Sequence, residues 1–200
     1  MKRPILITLA LASFAIGGLA AYFVTSGGKP GVPGAVSVGK ALVGGPFSLV
    51  NHQGKRVTDK DFRGRHMLVL FGFTFCPDVC PSGLQVMSAA LDKLGKKGEQ
   101  VTPIFVSVDP ERDTPAQLAQ YVPSFHPRLV GLTGSAAEID AAAKAYRVYY
   151  KKVRDEKSSA AYTFDHTALI YLMGPDGAYV AHFSHAAGVD AIVERLAKLL

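Results

Sequence analysis

The chain has 200 residues, 48% of them apolar, with 22 basic and 16 acidic side chains and a formal charge of +6. That is enough for one domain with a real hydrophobic core and a segment to spare. The basic excess is mild and no Lys/Arg tract is interleaved with aromatics, so the composition gives nucleic-acid binding no support.

Residues Ile5 to Val24 carry no charge and follow Lys2 and Arg3. As a helix, twenty residues at ~1.5 Å each reach ~30 Å, the thickness of a bilayer core. The leading positive charges keep the N-terminus in the cytoplasm. The expectation is an uncleaved anchor over residues 1–24, single-pass in a bacterial inner membrane, with everything after it in the periplasm. A cleaved signal peptide would have a shorter apolar stretch and a clearer small-residue cleavage site. A mitochondrial transit peptide would be richer in Arg and Ser. Residues 25–40, rich in Gly, Pro and Ser, read as a flexible linker that spans at most ~55 Å.

From residue 41 the pattern becomes that of a folded domain. Phe47 to Val50 and Lys55 to Thr58 read as a hairpin turning at Gly54. His66 to Thr74 is a near-continuous apolar run, as a buried central strand requires. Leu84, Met87, Leu91 and Leu94 recur at helical spacing, and Pro81 suits the first turn of a helix over Val79 to Leu94. Thr102 to Val108 is a second buried strand. Helices are predicted over Thr114 to Phe125 and Ser135 to Tyr146, the latter opened by Ser135 with Glu138. A short strand, Leu129 to Leu132, lies between them. Thr167 to Met173 and Ala178 to Ser184 flank Gly174-Pro-Asp-Gly177 as a second hairpin, and Val189 to Leu200 forms a closing helix. Alternating strands and helices predict an α/β class with parallel strands in a central mixed sheet. The strand-to-helix turn has no GxGxxG, which excludes a dinucleotide fold, and no P-loop is present.

The chain has two cysteines, Cys76 and Cys80, in Phe73-Thr-Phe-Cys-Pro-Asp-Val-Cys-Pro81. A disulfide this local closes almost no loop and constrains the unfolded chain little, so a structural staple explains the pair poorly. Reactivity or metal binding explains it better. A helix opening near Val79 places Cys80 in its first turn and Cys76 just ahead, where unpaired N–H groups and the helix dipole favour thiolates. Two thiolates there can close into a disulfide or grip a soft metal. The pair ends a long strand and opens a helix, which is the thioredoxin arrangement, although three residues rather than two separate the cysteines. Imidazole is a good third ligand for copper or zinc. Of the six histidines, His52, His66, His126, His182 and His185 have no comparable claim. His166 opens a strand expected beside the central one, at the end where Cys76 lies. A peroxiredoxin-type peroxidase would need Thr or Ser three positions before its nucleophile, but Phe73 and Pro77 stand there. A structural zinc site would want four closed ligands.

Three motifs in order resemble the SCO/SenC family over about residues 41 to 200. They are the Phe73-to-Pro81 stretch, Val108-Asp-Pro-Glu-Arg-Asp-Thr-Pro115, and Tyr162-Thr-Phe-Asp-His-Thr167 followed by Tyr171-Leu. Thr167 stands where Ser is frequent. The resemblance implies a thioredoxin-like fold, a membrane anchor, and a copper site, Cu(I) or Cu(II), made by Cys76, Cys80 and His166. It implies a metallochaperone rather than an enzyme of turnover, acting in assembly of the CuA centre of cytochrome c oxidase. The partners implied are the oxidase subunit carrying that centre and another periplasmic copper chaperone. An alternative function stays open: a thiol-disulfide oxidoreductase in which Cys76 attacks and Cys80 resolves, reducing the CuA-site cysteines. Asp78 and Asp165 are candidates to orient a ligand or meet a partner. Asp109, Arg112 and Asp113 are expected in a loop near the site, where they read as a turn and a cap for the Thr114 helix in preference to direct chemistry.

Overall fold

The computed structural model describes residues 42–154 and 161–200; the expected anchor and linker lie outside the described residues. The first strands, β1 (Ser48–Asn51) and β2 (Arg56–Thr58), form the predicted hairpin, with Gly54 at φ +79° in the turn. Strand β3 (His66–Gly72) is buried along its whole length. Helix α1 (Val79–Leu94) follows, then β4 (Val101–Ser107), α2 (Pro115–Tyr121), β5 (Val130–Thr133) and α3 (Ala136–Ala145). Among the described residues, strands β6 (Tyr150–Arg154) and β7 (Tyr162–His166) pair only with each other, in a two-stranded ribbon. The chain closes with β8 (Leu169–Met173), β9 (Tyr179–Ser184) and α4 (Val189–Ala197).

The main sheet has seven strands in the order β2-β1-β5-β4-β3-β8-β9. Strands β3, β4 and β5 run parallel; β1 and β8 join antiparallel on either side. The period of two along β3 sorts its side chains between two cores. Met67, Val69 and Phe71 pack with Ile139, Ala142 and Tyr146 on the α3 face. Leu68 and Leu70 pack with Leu84, Met87, Leu91, Ile192 and Leu196 on the face covered by α1 and α4. Each fully buried Leu or Met contributes about 1.5–3 kcal/mol relative to exposure. Because both faces are covered, the apolar run could only be a central strand.

Two local details differ from expectation. The helix predicted to Phe125 ends at Tyr121 and tightens into a 3-10 turn at Val122–Ser124, where Pro123 lacks the N–H a helix needs. The strand predicted from Thr167 begins at Leu169, and His166 instead ends β7. That ribbon was not foreseen. Its charged residues, Lys151, Lys152, Arg154 and Asp165, interrupt any apolar run.

Candidate metal centre

The centre forms where β3 ends. Parallel strands deliver their C-terminal ends to one edge of the sheet, and β8 starts beside that edge because it runs antiparallel to β3. The chain leaves β3 at Gly72, turns through Phe73 to Asp78, and enters α1. The Cys76 N–H donates to the Phe73 carbonyl (3.2 Å), closing the turn. Cys80 sits in the first helical turn, and its N–H donates to Cys76 Sγ (3.4 Å). This is a helix N-terminus offering its unpaired donors to sulfur. Cys80 is 0% and Cys76 9% exposed, and neither is in a disulfide.

His166 arrives from the ribbon. Its Nε2 lies 3.5 Å from Cys80 Sγ. Its Nδ1 lies 3.2 Å from the Thr167 carbonyl, which can only accept. With the ring proton on Nδ1 this contact is a hydrogen bond and the Nε2 lone pair faces the sulfurs; with the proton on Nε2 the ring donates to them instead. The ligand atoms of Cys76, Cys80 and His166 all lie within 4.8 Å of one another. Two soft sulfurs and one imidazole in a largely buried pocket fit a soft or borderline ion.

The electrostatics divide the two thiols. The hydrogen bond from the Cys80 thiol draws Cys76 down to about 4, helped by His166 and the Asp78 and Cys80 N–H groups and opposed by burial. The same bond, together with burial, pushes Cys80 up. At neutral pH the pair holds one proton, on Cys80. Iodoacetamide is therefore expected to alkylate Cys76 at a constant rate from neutral pH to about 5, falling only as pH drops through about 4. Peptide mapping by mass spectrometry reads this. An ordinary thiol, with a pKa of about 8.5, would instead lose about tenfold per unit below ~8.

The other expected residues are placed as follows. Asp78 occupies the cap position of α1 but makes no cap hydrogen bond; it accepts from Ser82 Oγ (3.3 Å). Asp165 is exposed and opposite Lys151, so the Thr167 carbonyl orients His166 and Asp165 does not. His66 lies at the far end of β3, opposite Val101. His52 accepts from the Gly131 N–H, His126 faces Asp92, and His182 contacts Tyr179. The His185 N–H donates to the Ala168 carbonyl.

The Asp109-to-Asp113 loop does more than turn and cap. Thr114 alone caps α2, accepting from the Gln117 N–H (3.2 Å). Asp113, 0% exposed, accepts from the Thr74 N–H (2.9 Å), Thr74 Oγ1 (2.6 Å) and Ser107 Oγ (2.5 Å). It ties the cysteine turn to β4. Burial pushes its carboxyl up while these donors draw it down. Arg112 pairs with Asp109 through Nε and donates Nη1 to the Tyr162 carbonyl (3.2 Å). One residue went unnoticed in the sequence. A Cβ on Gly72 would stand 2.6 Å from Cys80 Sγ and 3.0 Å from Phe105, so only glycine leaves room for that sulfur. A glycine ending a buried strand four residues before a cysteine was the available signal.

The family model described as SCO1/SenC matches residues 36–200. The chain is 47% identical over 163 residues to Protein SCO1 homolog 1, mitochondrial, of Arabidopsis thaliana, covering 81% of this chain and 48% of that protein. It is 50% identical over 149 residues to the human Protein SCO1 homolog, mitochondrial, covering 73% and 49%. The chain thus spans about half the length of these curated relatives. Among solved structures, Arabidopsis thaliana ScoI with copper bound superposes with a TM-score of 0.74 at 46% identity, covering 78% of this chain and 96% of that one. Bradyrhizobium japonicum ScoI with copper bound gives 0.72 at 47%, covering 79% and 99%. BsSco, described with a disulfide switch and as a member of the Sco family of cytochrome c oxidase assembly proteins, gives 0.62 at 29%, covering 78% and 92%.

Proposed function

This chain belongs to the SCO1/SenC family, and we propose that it binds one copper ion through Cys76, Cys80 and His166 and carries it to the CuA centre of cytochrome c oxidase. The observation that carries this reading is the convergence of two sulfurs and an imidazole nitrogen within 4.8 Å. Copper-bound relatives matched over 96% and 99% of their own solved chains support it, as does the oxidase-assembly role stated for BsSco.

Each ligand has a part. The two cysteine sulfurs suit Cu(I), and the His166 nitrogen lets the site hold Cu(II) as well. Cys76 is already a thiolate at neutral pH, so binding need displace only the Cys80 proton. Three protein ligands leave a position open to an acceptor's sulfur or nitrogen, as release to a partner requires.

The proposal extends to the chain outside the described residues. Residues 1–24 anchor the protein in the inner membrane and residues 25–40 tether a domain of residues 41–200 in the periplasm. Among the described residues no helix is long and apolar enough to cross a membrane. The relatives' names place them in mitochondria.

A second reading is favoured by the Cys76 thiolate. Cys76 would attack a partner's disulfide, Cys80 would displace the mixed disulfide, and two electrons would pass to two partner thiols while Cys76 and Cys80 join. Mixing with an oxidase domain bearing the CuA site separates the two. Copper-loaded protein is expected to leave copper in a reduced, metal-free acceptor, measured after chromatographic separation. Retention of all the copper, with metal-free protein instead reducing the acceptor's disulfide, would establish the second reading in place of the first.

A further inference from the structure

We propose that Arg112 and Tyr162 are positioning residues that hold His166 against the cysteine pair, and so decide whether the centre binds Cu(II) in addition to Cu(I); this rests on the copper reading above.

The centre is assembled from two bodies. Cys76 stands in the turn that leaves β3 and Cys80 in the first turn of α1, with β3 held between β4 and β8 in the seven-stranded sheet. His166 stands on β7, in a ribbon that among the described residues shares no ladder with that sheet. An isolated two-stranded ribbon is marginal in water, so its placement depends on side-chain contacts. Phe164 supplies one, with its ring 5.5 Å from that of Phe73. The Lys152–Glu111 pair supplies another, but it is exposed and contributes little.

Arg112 spans the two bodies. Its guanidinium carbon lies 3.8 Å from the Tyr162 ring centre and 4.7 Å from that of Phe75, the residue before Cys76. Its Nη1 donates to the Tyr162 carbonyl. The Tyr162 hydroxyl donates to Asp109 Oδ1 (3.0 Å), and Asp109, 1% exposed, pairs with Arg112 in turn. The planar fork and the stacking are both used, which a lysine could not reproduce. Tyr162, Phe164 and His166 alternate onto one face of β7. Whatever fixes Tyr162 therefore fixes the face that presents His166. Asp113, the next residue, holds Thr74 on the cysteine side. One short loop thus grips both bodies.

Cu(I) is satisfied by two thiolates, whereas Cu(II) gains from the imidazole. Loosening β7 should weaken Cu(II) and spare Cu(I). The test uses Arg112→Met and, because that change removes the cation paired with buried Asp109, also Tyr162→Leu, which keeps that ion pair. In each, Cu(II) affinity is expected to fall about 10–100-fold, the usual effect of removing a group that orients a ligand, with Cu(I) affinity unchanged. On a His166→Ala background neither change should lower Cu(II) affinity further, because both act through that histidine. In the metal-free protein, amide exchange of Tyr162 to His166 should accelerate while that of β3 and β4 stays slow. Equal loss of both ions, additive loss on the His166→Ala background, or unchanged β7 exchange in both variants would overturn the inference. A wild-type protein that binds neither ion would overturn the copper reading instead, and the exchange measurement would still decide the clamp.

Discussion

Asp113→Ala is expected to lower unfolding stability by about 3–5 kcal/mol, with a melting temperature reduced by on the order of 10 °C. The carboxylate is fully buried and accepts three hydrogen bonds, two from Thr74 and one from Ser107. Alanine leaves those donors facing a cavity, and each buried donor left without a partner costs about 1–3 kcal/mol. Thr74 is two residues before Cys76, so the cysteine turn loosens with the fold. Asp113→Asn keeps the volume and one accepting oxygen and should recover part of the loss. Thermal unfolding followed by circular dichroism checks both variants. A loss under about 1 kcal/mol in Asp113→Ala, the value of a single exposed hydrogen bond, would contradict this role.

Gly72→Ala is the second large effect. The added methyl would lie 2.6 Å from Cys80 Sγ and 3.0 Å from the Phe105 ring edge, both buried. At 2.6 Å the contact forces a shift of buried atoms, so overpacking should cost about 1–3 kcal/mol. The sulfur must move, and it is the one that faces His166 at 3.5 Å. Copper affinity should fall by about 10–100-fold, as when a ligand is displaced from its orientation. Gly83→Ala is the contrast. Its methyl would press on a Leu70 methyl at 3.1 Å, the far end of a flexible side chain, and meet the other Leu70 methyl and His185 Cβ at ordinary contact, 3.8 and 3.9 Å. Alanine is also favoured over glycine inside a helix by about 1 kcal/mol. Gly83→Ala should therefore keep both fold and copper. Isothermal titration of the two variants with Cu(I) reads the difference, and equal behaviour would contradict the packing at Gly72.

The sheet was legible where burial dominates. The run from His66 to Gly72 has no polar side chain after its first residue, and only a strand covered on both faces tolerates that. Ser135 with Glu138 forms the expected capping box at α3. The cysteine pair was legible because spacing and helix entry are local. The ribbon was not, because its stability comes from distant partners. Tyr162, Phe164 and His166 do alternate at period two, but the facing strand carries Lys151, Lys152 and Arg154, which read as loop. His166 was assigned to the strand after its own, yet it reaches the right edge because β8 begins there. The roles of Asp113 and Arg112 were invisible for the same reason. Their partners, Thr74 and Tyr162, are 39 and 50 residues away, and nothing in a turn-and-cap pattern distinguishes an acid that caps from one that ties two elements together.

The most direct test of the copper centre is a Cu(II) titration of the reduced protein beside His166→Ala. Wild-type protein should take up one equivalent with a sulfur-to-copper charge-transfer band, and His166→Ala should lose that band while still binding Cu(I) through its cysteines. An unchanged band and unchanged Cu(II) affinity in His166→Ala would remove the histidine from the site and contradict the three-ligand centre.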